Sequence, residues 1–203
     1  MQNRAAAISR QSCALNWEGR TVIDATASYG KSQVAVYRTY AQPLHDIRTI
    51  PESSYAGDDN HLFAQEVDVE VFGRNFLPAY TDGDNSNVVA TDTMKNFILR
   101  EALDFDGATP EQFLWQLGQR FLSTYAVMEG LRITGRQLCF SPARVPAAGN
   151  AGFEPSSVLF EQRGDDRGFA CLQIDRGPDG AARIADHQCG RTGLHLIKWV
   201  RLF

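Results

Sequence analysis

Asn75-Phe76-Leu77-Pro78-Ala79-Tyr80-Thr81-Asp82-Gly83-Asp84-Asn85-Ser86-Asn87-Val88-Val89-Ala90-Thr91-Asp92-Thr93-Met94-Lys95-Asn96 is the stretch that decides how this chain folds. A polar loop rich in Asp and Asn gives way to Val88-Val89-Ala90, then to Thr91-Asp92-Thr93, then to a helical pattern. Thr and Asp just ahead of an amphipathic run are helix-start residues, because their side chains satisfy free backbone N–H groups. The same N–H groups, with the helix dipole, form a binding place for a flat or negatively charged ligand. Met94, Phe97, Ile98 and Ala102 recur on one face and predict a helix from about Thr93 to Leu103.

On the C-terminal side, Asp106-Gly107-Ala108 breaks that helix and Thr109-Pro110-Glu111-Gln112 starts another. Thr109 caps, Pro110 fits the first helical position and Gln112 completes a capping box. Leu114, Leu117, Phe121 and Tyr125 then line one face of a helix to about Tyr125. On the N-terminal side, Leu62 to Phe72 alternates Val67, Val69 and Val71 with Asp68 and Glu70, a strand with one wet face. Val34 and Val36 give a strand signal over Ser32 to Tyr40. The connection Gln42 to Asp59, with Pro43 and Pro51, is a loop.

After the helices, Leu131 to Phe140 predicts a strand, and Pro142 to Pro155, rich in Ala, Gly and Pro, a surface loop. Ser157 to Ile174 is a second strand region, with a solvated turn or bulge at Gly164-Asp165-Asp166-Arg167-Gly168. Past a Gly177-Pro178-Asp179-Gly180 turn, Ala181 to Asp186 and Leu194 to Leu202 predict one more hairpin. The order is α+β: an antiparallel four-stranded sheet with two helices on one face, ββααββ. Such a sheet leaves two open edges, which proteins pair or shield, so association is expected. The expected organisation is a disordered N-terminal arm over 1–27, one folded unit over 28–180 and the start of a second, truncated unit over 181–203.

Composition narrows the function classes. The 203 residues are 43% hydrophobic, enough for a packed core, and the net charge of −4 points away from nucleic acid. No apolar run approaches the roughly 18 residues that span a bilayer, so a soluble protein is expected. Arg4, Arg10 and Arg20 lie among Ala and Ser with no signal-peptide core, which reads as an arm or an amphipathic targeting peptide. Cys13, Cys139, Cys171 and Cys189 show no Cys-x-x-Cys pair and predict free thiols in a reducing compartment. His45, His61, His187 and His195 show no metal-ligand spacing, and no metal is expected.

Two segments carry a family resemblance. Tyr29-Gly30-Lys31-Ser32-Gln33-Val34 resembles the start of the first strand of urate oxidase (uricase), and Asp84 through Asn96 resembles that family's substrate-loop motif at nearly every position. Weaker similarity runs from His61 to about Phe203, and none precedes about Ser28. The resemblance implies the tunnelling fold (T-fold), in which such units join edge to edge around a tunnel. It also implies purine catabolism: oxidation of urate by dioxygen, without metal or organic cofactor, to 5-hydroxyisourate and hydrogen peroxide. A cytoplasmic location follows, or a peroxisomal one in a eukaryote.

Residue by residue, Lys31 and Thr91 resemble the family's proton-relay lysine and threonine, and Asp92 its substrate-contacting aspartate. A uricase subunit carries two such units, and this chain resembles the N-terminal one. The family's relay histidine, ring-clamping arginine and glutamine, and the asparagine near the oxygen site have no counterpart here. Phe203 is the only candidate for its ring-stacking phenylalanine, and the spacing after Leu196-Ile197-Lys198 is off by about a residue. In the family the site lies between subunits, so the expected partners are a urate-like anion and further chains in a homo- or hetero-oligomer.

Each residue also has a plain reading. Lys31 is a solvated charge on a strand, Thr91 and Asp92 are caps, Lys95 and Asn96 are helix surface, and Trp115 belongs to core or interface. Three functions follow: an active uricase-type enzyme completed by a partner chain, a uricase-derived binding or structural subunit without turnover, or a T-fold enzyme acting on another heterocycle.

Overall fold

The protein is described here by a computed structural model covering residues 12–15, 21–24, 27–39, 41–51, 55–150, 152–162 and 164–195. Within the region expected to be an arm, β1 (Ser12–Leu15) pairs antiparallel with β2 (Thr21–Asp24). The sheet begins with β3 (Ser28–Thr39) and β4 (Leu62–Phe72), joined by the two-proline connection, which holds an isolated Leu44–Asp58 bridge. Three helices follow: a single turn α1 (Pro78–Thr81), α2 (Thr91–Leu103) and α3 (Pro110–Thr124). Then come β5 (Gly130–Gln137), β6 (Phe140–Pro146), β7 (Phe153–Gln162), β8 (Arg167–Arg176) and β9 (Ala182–Thr192).

The main sheet has the order β3-β4-β5-β8-β9 with every neighbour antiparallel. Its first four strands, with α2 and α3, are the ββααββ unit. Val67, Val69 and Val71 of β4 point with Leu131, Ile133, Leu172 and Ile174 into the layer under the helices, where all are buried. From the helix side, Met94, Phe97 and Ile98 of α2 and Leu114, Leu117 and Phe121 of α3 fill that layer. The period-two and period-3.6 patterns therefore meet in one core. The α3 capping box forms as expected, Thr109 accepting from the Gln112 amide and the Gln112 side chain accepting from the Thr109 amide.

Several expectations are corrected. The main sheet has five strands, not four, because the Gly177–Gly180 turn folds β9 back onto the free edge of β8. β9 is exposed along nearly its whole length, so backbone pairing holds it and no apolar alternation announced it. It runs unbroken from Ala182 to Thr192, where a hairpin arm ending at Asp186 was expected. Leu194 and His195 lie outside any strand, and positions 196–203, Phe203 among them, lie outside the described residues.

The presumed loop Pro142 to Pro155 is instead the tip of a β6–β7 hairpin. Pro142, Pro146 and Pro155 fit there because a separate two-stranded ribbon leaves outward N–H positions that proline can occupy without loss. For the same reason Ser157 to Ile174 divides between two sheets, β7 pairing with β6 and β8 with β5.

Candidate functional site

α2 starts at Thr91, two residues earlier than the periodicity predicts. Its N-cap is Ala90, with no side-chain cap hydrogen bond, so Thr91 and Asp92 are first-turn residues rather than caps. Asp92 places a carboxylate at the positive end of the helix dipole. Lys31, on β3, extends its ammonium Nζ to Asp92 Oδ1 at 3.2 Å. The structure thus brings together the two segments singled out in the sequence. The lysine side chain is 25% exposed and the aspartate 87%, so the pair opens outward from the edge of the fold.

Tyr29, quoted in the motif but given no role there, fixes the approach to α2. Its phenolic oxygen accepts the Val89 amide at 3.0 Å, and its ring meets Phe76 edge-on at 4.9 Å between centroids. Burial pushes the Tyr29 phenol above its ordinary range, against the lowering effect of the Val89 hydrogen bond. Between Tyr29 and Lys31, Gly30 is required. A methyl group at that position would come within 1.9 Å of the Val69 carbonyl oxygen across the ladder.

The Asp- and Asn-rich loop is held by its own polar groups. Asp84 accepts the Ser86 amide at 2.9 Å, and hydrogen bonding from Ser86 lowers the Asp84 carboxyl below its ordinary range. Asn87 donates to the Asn75 carbonyl at 3.0 Å, and the Asn75 amide donates to the Val127 carbonyl ahead of β5. The loop therefore delivers Val88-Val89-Ala90 to α2 along a path fixed at both ends. At the far end of α2, Arg38 of β3 donates to the carbonyls of Ala102 and Leu103 at 2.9 and 2.7 Å. One strand thus holds both ends of one helix.

Lys95 and Asn96 are exposed, as the plain reading has it, and Trp115 is half-buried against the core. Clefts near His61 and Ser156 and near Asn60 and Gln137 share no residue with the Lys31–Asp92 pair. Among the described residues, no group of three or more His, Cys, Asp and Glu side chains could hold a metal ion. No helix among them is long and apolar enough to cross a membrane, which says nothing of strands.

No protein-family model matches the chain. A uricase of Haloferax volcanii is 46% identical over 171 residues, 84% of this chain and 55% of that protein. A uric acid degradation bifunctional protein of Bacillus subtilis is 42% identical over 181 residues, 89% of this chain and 36% of that protein. Among solved structures, urate oxidase from Bacillus sp. TB-90 superposes with a TM-score of 0.77 at 36% identity, covering 86% of this chain and 60% of that one. The chain spans about half the length of the uricases it matches. Over that length it is a urate-oxidase-like protein, resembling the N-terminal half, and its α+β architecture is shared with theirs.

Proposed function

We propose that this chain supplies one wall of a cofactor-free, urate-oxidising site, built from Lys31, Thr91 and Asp92. The observation that carries the reading is the Lys31–Asp92 contact at the start of α2, joining the two segments that resemble urate oxidase. Urate is a planar anion. Its two-electron oxidation by dioxygen, with water supplying the new hydroxyl, gives 5-hydroxyisourate and hydrogen peroxide. The ring must first lose a further proton. An ammonium at the first turn of α2, the turn that carries Thr91, would lower the cost of holding the threonine hydroxyl or a water in its basic form. The α2 N–H groups and the Lys31 charge favour the anion, and the Asp92 carboxylate accepts from a ring N–H.

The opposite wall, with the groups that clamp the ring and relay the proton, comes from the other half of a uricase or from a neighbouring chain. The 87% exposure of Asp92 supports this, since nothing described in this chain covers it. By itself the chain then binds a urate-like anion weakly and oxidises it slowly or not at all. Each missing charge-assisted hydrogen bond costs roughly 1.5–3 kcal/mol, so two or three remove several powers of ten.

The test is calorimetric urate binding together with urate absorbance and oxygen uptake, using purified chain without added metal. Weak binding abolished by Lys31→Ala, with negligible turnover, is expected. Rapid turnover lost in Lys31→Ala or Thr91→Ala would overturn the one-wall reading. Absence of binding, or binding indifferent to both changes, would overturn the site.

A further inference from the structure

Lys31 and Val34 are three residues apart on one strand. A regular strand would send them to opposite faces, since side chains alternate with period two. Both nevertheless serve the helix side. Val34 is buried in the core, and Lys31 reaches α2. The ladder shows how: Lys31 pairs with Val69 and Val34 with Val67, so Ser32 and Gln33 together oppose the single residue Asp68. This is a β-bulge, and Gln33 takes a left-handed φ of 59° to make it. Non-glycine residues avoid that region, so something must hold the backbone there.

Asp68 is placed to do so. It lies on the opposite sheet face, and its Oδ1 accepts the Gln33 amide at 2.7 Å. Its other oxygen, Oδ2, receives Nη2 of Arg136 at 2.5 Å. Arg136 in turn contacts Glu66, its Nε 3.1 Å from Oε1. Burial works against the Arg136 charge, but Asp68 and Glu66 outweigh it, and the guanidinium is held above its ordinary range. The carboxylate is therefore held in orientation against the bulge.

We propose that Asp68, held by Arg136, is a positioning residue for Lys31: it fixes the bulge at Ser32–Gln33 and so keeps the lysine on the α2 face. Without the bulge, the buried Val34 and Val36 keep their phase and Lys31 turns to the far side, away from Asp92. The catalytic consequence rests on the reading of Lys31 given above. The geometric claim does not.

The experiment uses the whole chain with 15N-labelled lysine, following the Lys31 ammonium signal and its contact with Asp92 by NMR, alongside urate affinity and melting temperature. Asp68→Ala should abolish the hydrogen-bonded Lys31 signal and weaken urate binding at least tenfold. Asp68→Asn, which keeps an acceptor for the Gln33 amide, should restore both. Deleting Ser32 supplies the second arm. It removes the extra residue, makes the strand regular with Lys31 still facing α2, and should make Asp68→Ala silent on the Lys31 signal.

A Lys31 signal unchanged in Asp68→Ala would overturn the proposal, as would an equal loss with Ser32 deleted. Should Asp68→Ala fail to fold, the deletion background still decides, because the bulge is absent there. A chain that binds no urate but shows this pattern of Lys31 signals refutes the urate site and sustains the positioning role.

Discussion

Lys31 and Asp92, 61 positions apart in the chain, meet at 3.2 Å where β3 passes the first turn of α2. The aspartate is open to water, so the pair adds little to folding. Exposed ion pairs contribute about 0–1 kcal/mol. Lys31→Ala and Asp92→Asn should therefore each shift stability by less than about 1 kcal/mol while removing most urate affinity. Denaturant unfolding set against calorimetric binding checks this. A large stability loss in either variant would mark the pair as structural.

Tyr29 carries the alkaline prediction. Its phenol is pushed up mainly by burial, so the folded state favours the protonated ring more than the unfolded chain does. A group with a raised folded pKa contributes stability that is fully present below its unfolded value of about 10 and lost as pH rises through the folded one. Stability should fall in that alkaline window, and Tyr29→Phe should flatten the fall. The same variant leaves the Val89 amide without its acceptor, costing about 1–3 kcal/mol at neutral pH. Melting temperature against pH for both proteins separates the two effects. An unchanged alkaline slope would mean that another group governs it, such as Tyr55, whose phenol burial also pushes up.

Gln33 gives a backbone prediction. Its φ of 59° suits glycine, and its side chain is exposed. Gln33→Gly relieves about 1–2 kcal/mol of left-handed strain against roughly 0.5–1 kcal/mol of added unfolded-chain entropy. A net gain of a few tenths to about 1 kcal/mol is expected in chemical denaturation, with the Lys31–Asp92 contact intact. A clear loss would show that Gln33 contributes more than its amide.

What was legible in the sequence was what periodicity writes locally. Val67, Val69 and Val71 gave the strand, Met94, Phe97 and Ile98 the helix, and Thr109 with Gln112 the capping box, because each signal spans only a few residues. β9 was foreseen only as far as Asp186, because a strand exposed on both faces carries no apolar alternation and its pairing with β8 defines its full length. The hairpin at Pro142 to Pro155 was missed because prolines that break a central strand are harmless in a ribbon. Lys31, Thr91 and Asp92 were named from a resemblance; the residues that orient them were not. Tyr29 acts on Val89, and Asp68 on Gln33, across strand pairings and loop closures that no short spacing encodes.

Lys31 lies on β3, and β3 is an outer strand of the main sheet among the described residues. Its outward backbone groups are a template for another chain, and Tyr37, Leu99 and Leu103 leave apolar surface exposed beside it. A neighbour that pairs along β3 would bring its own side chains next to Lys31 and Asp92, where the proposed opposite wall would stand. Association and binding should then be coupled. Light scattering across micromolar concentrations should show a multimer of the 22.5 kDa chain. Leu103→Glu, on a side chain 78% exposed, should weaken it with little cost to folding. Urate affinity should fall in step with the loss of multimer. A compact monomer at every concentration would overturn the assembly, and a multimer whose disruption leaves affinity unchanged would place the missing wall elsewhere.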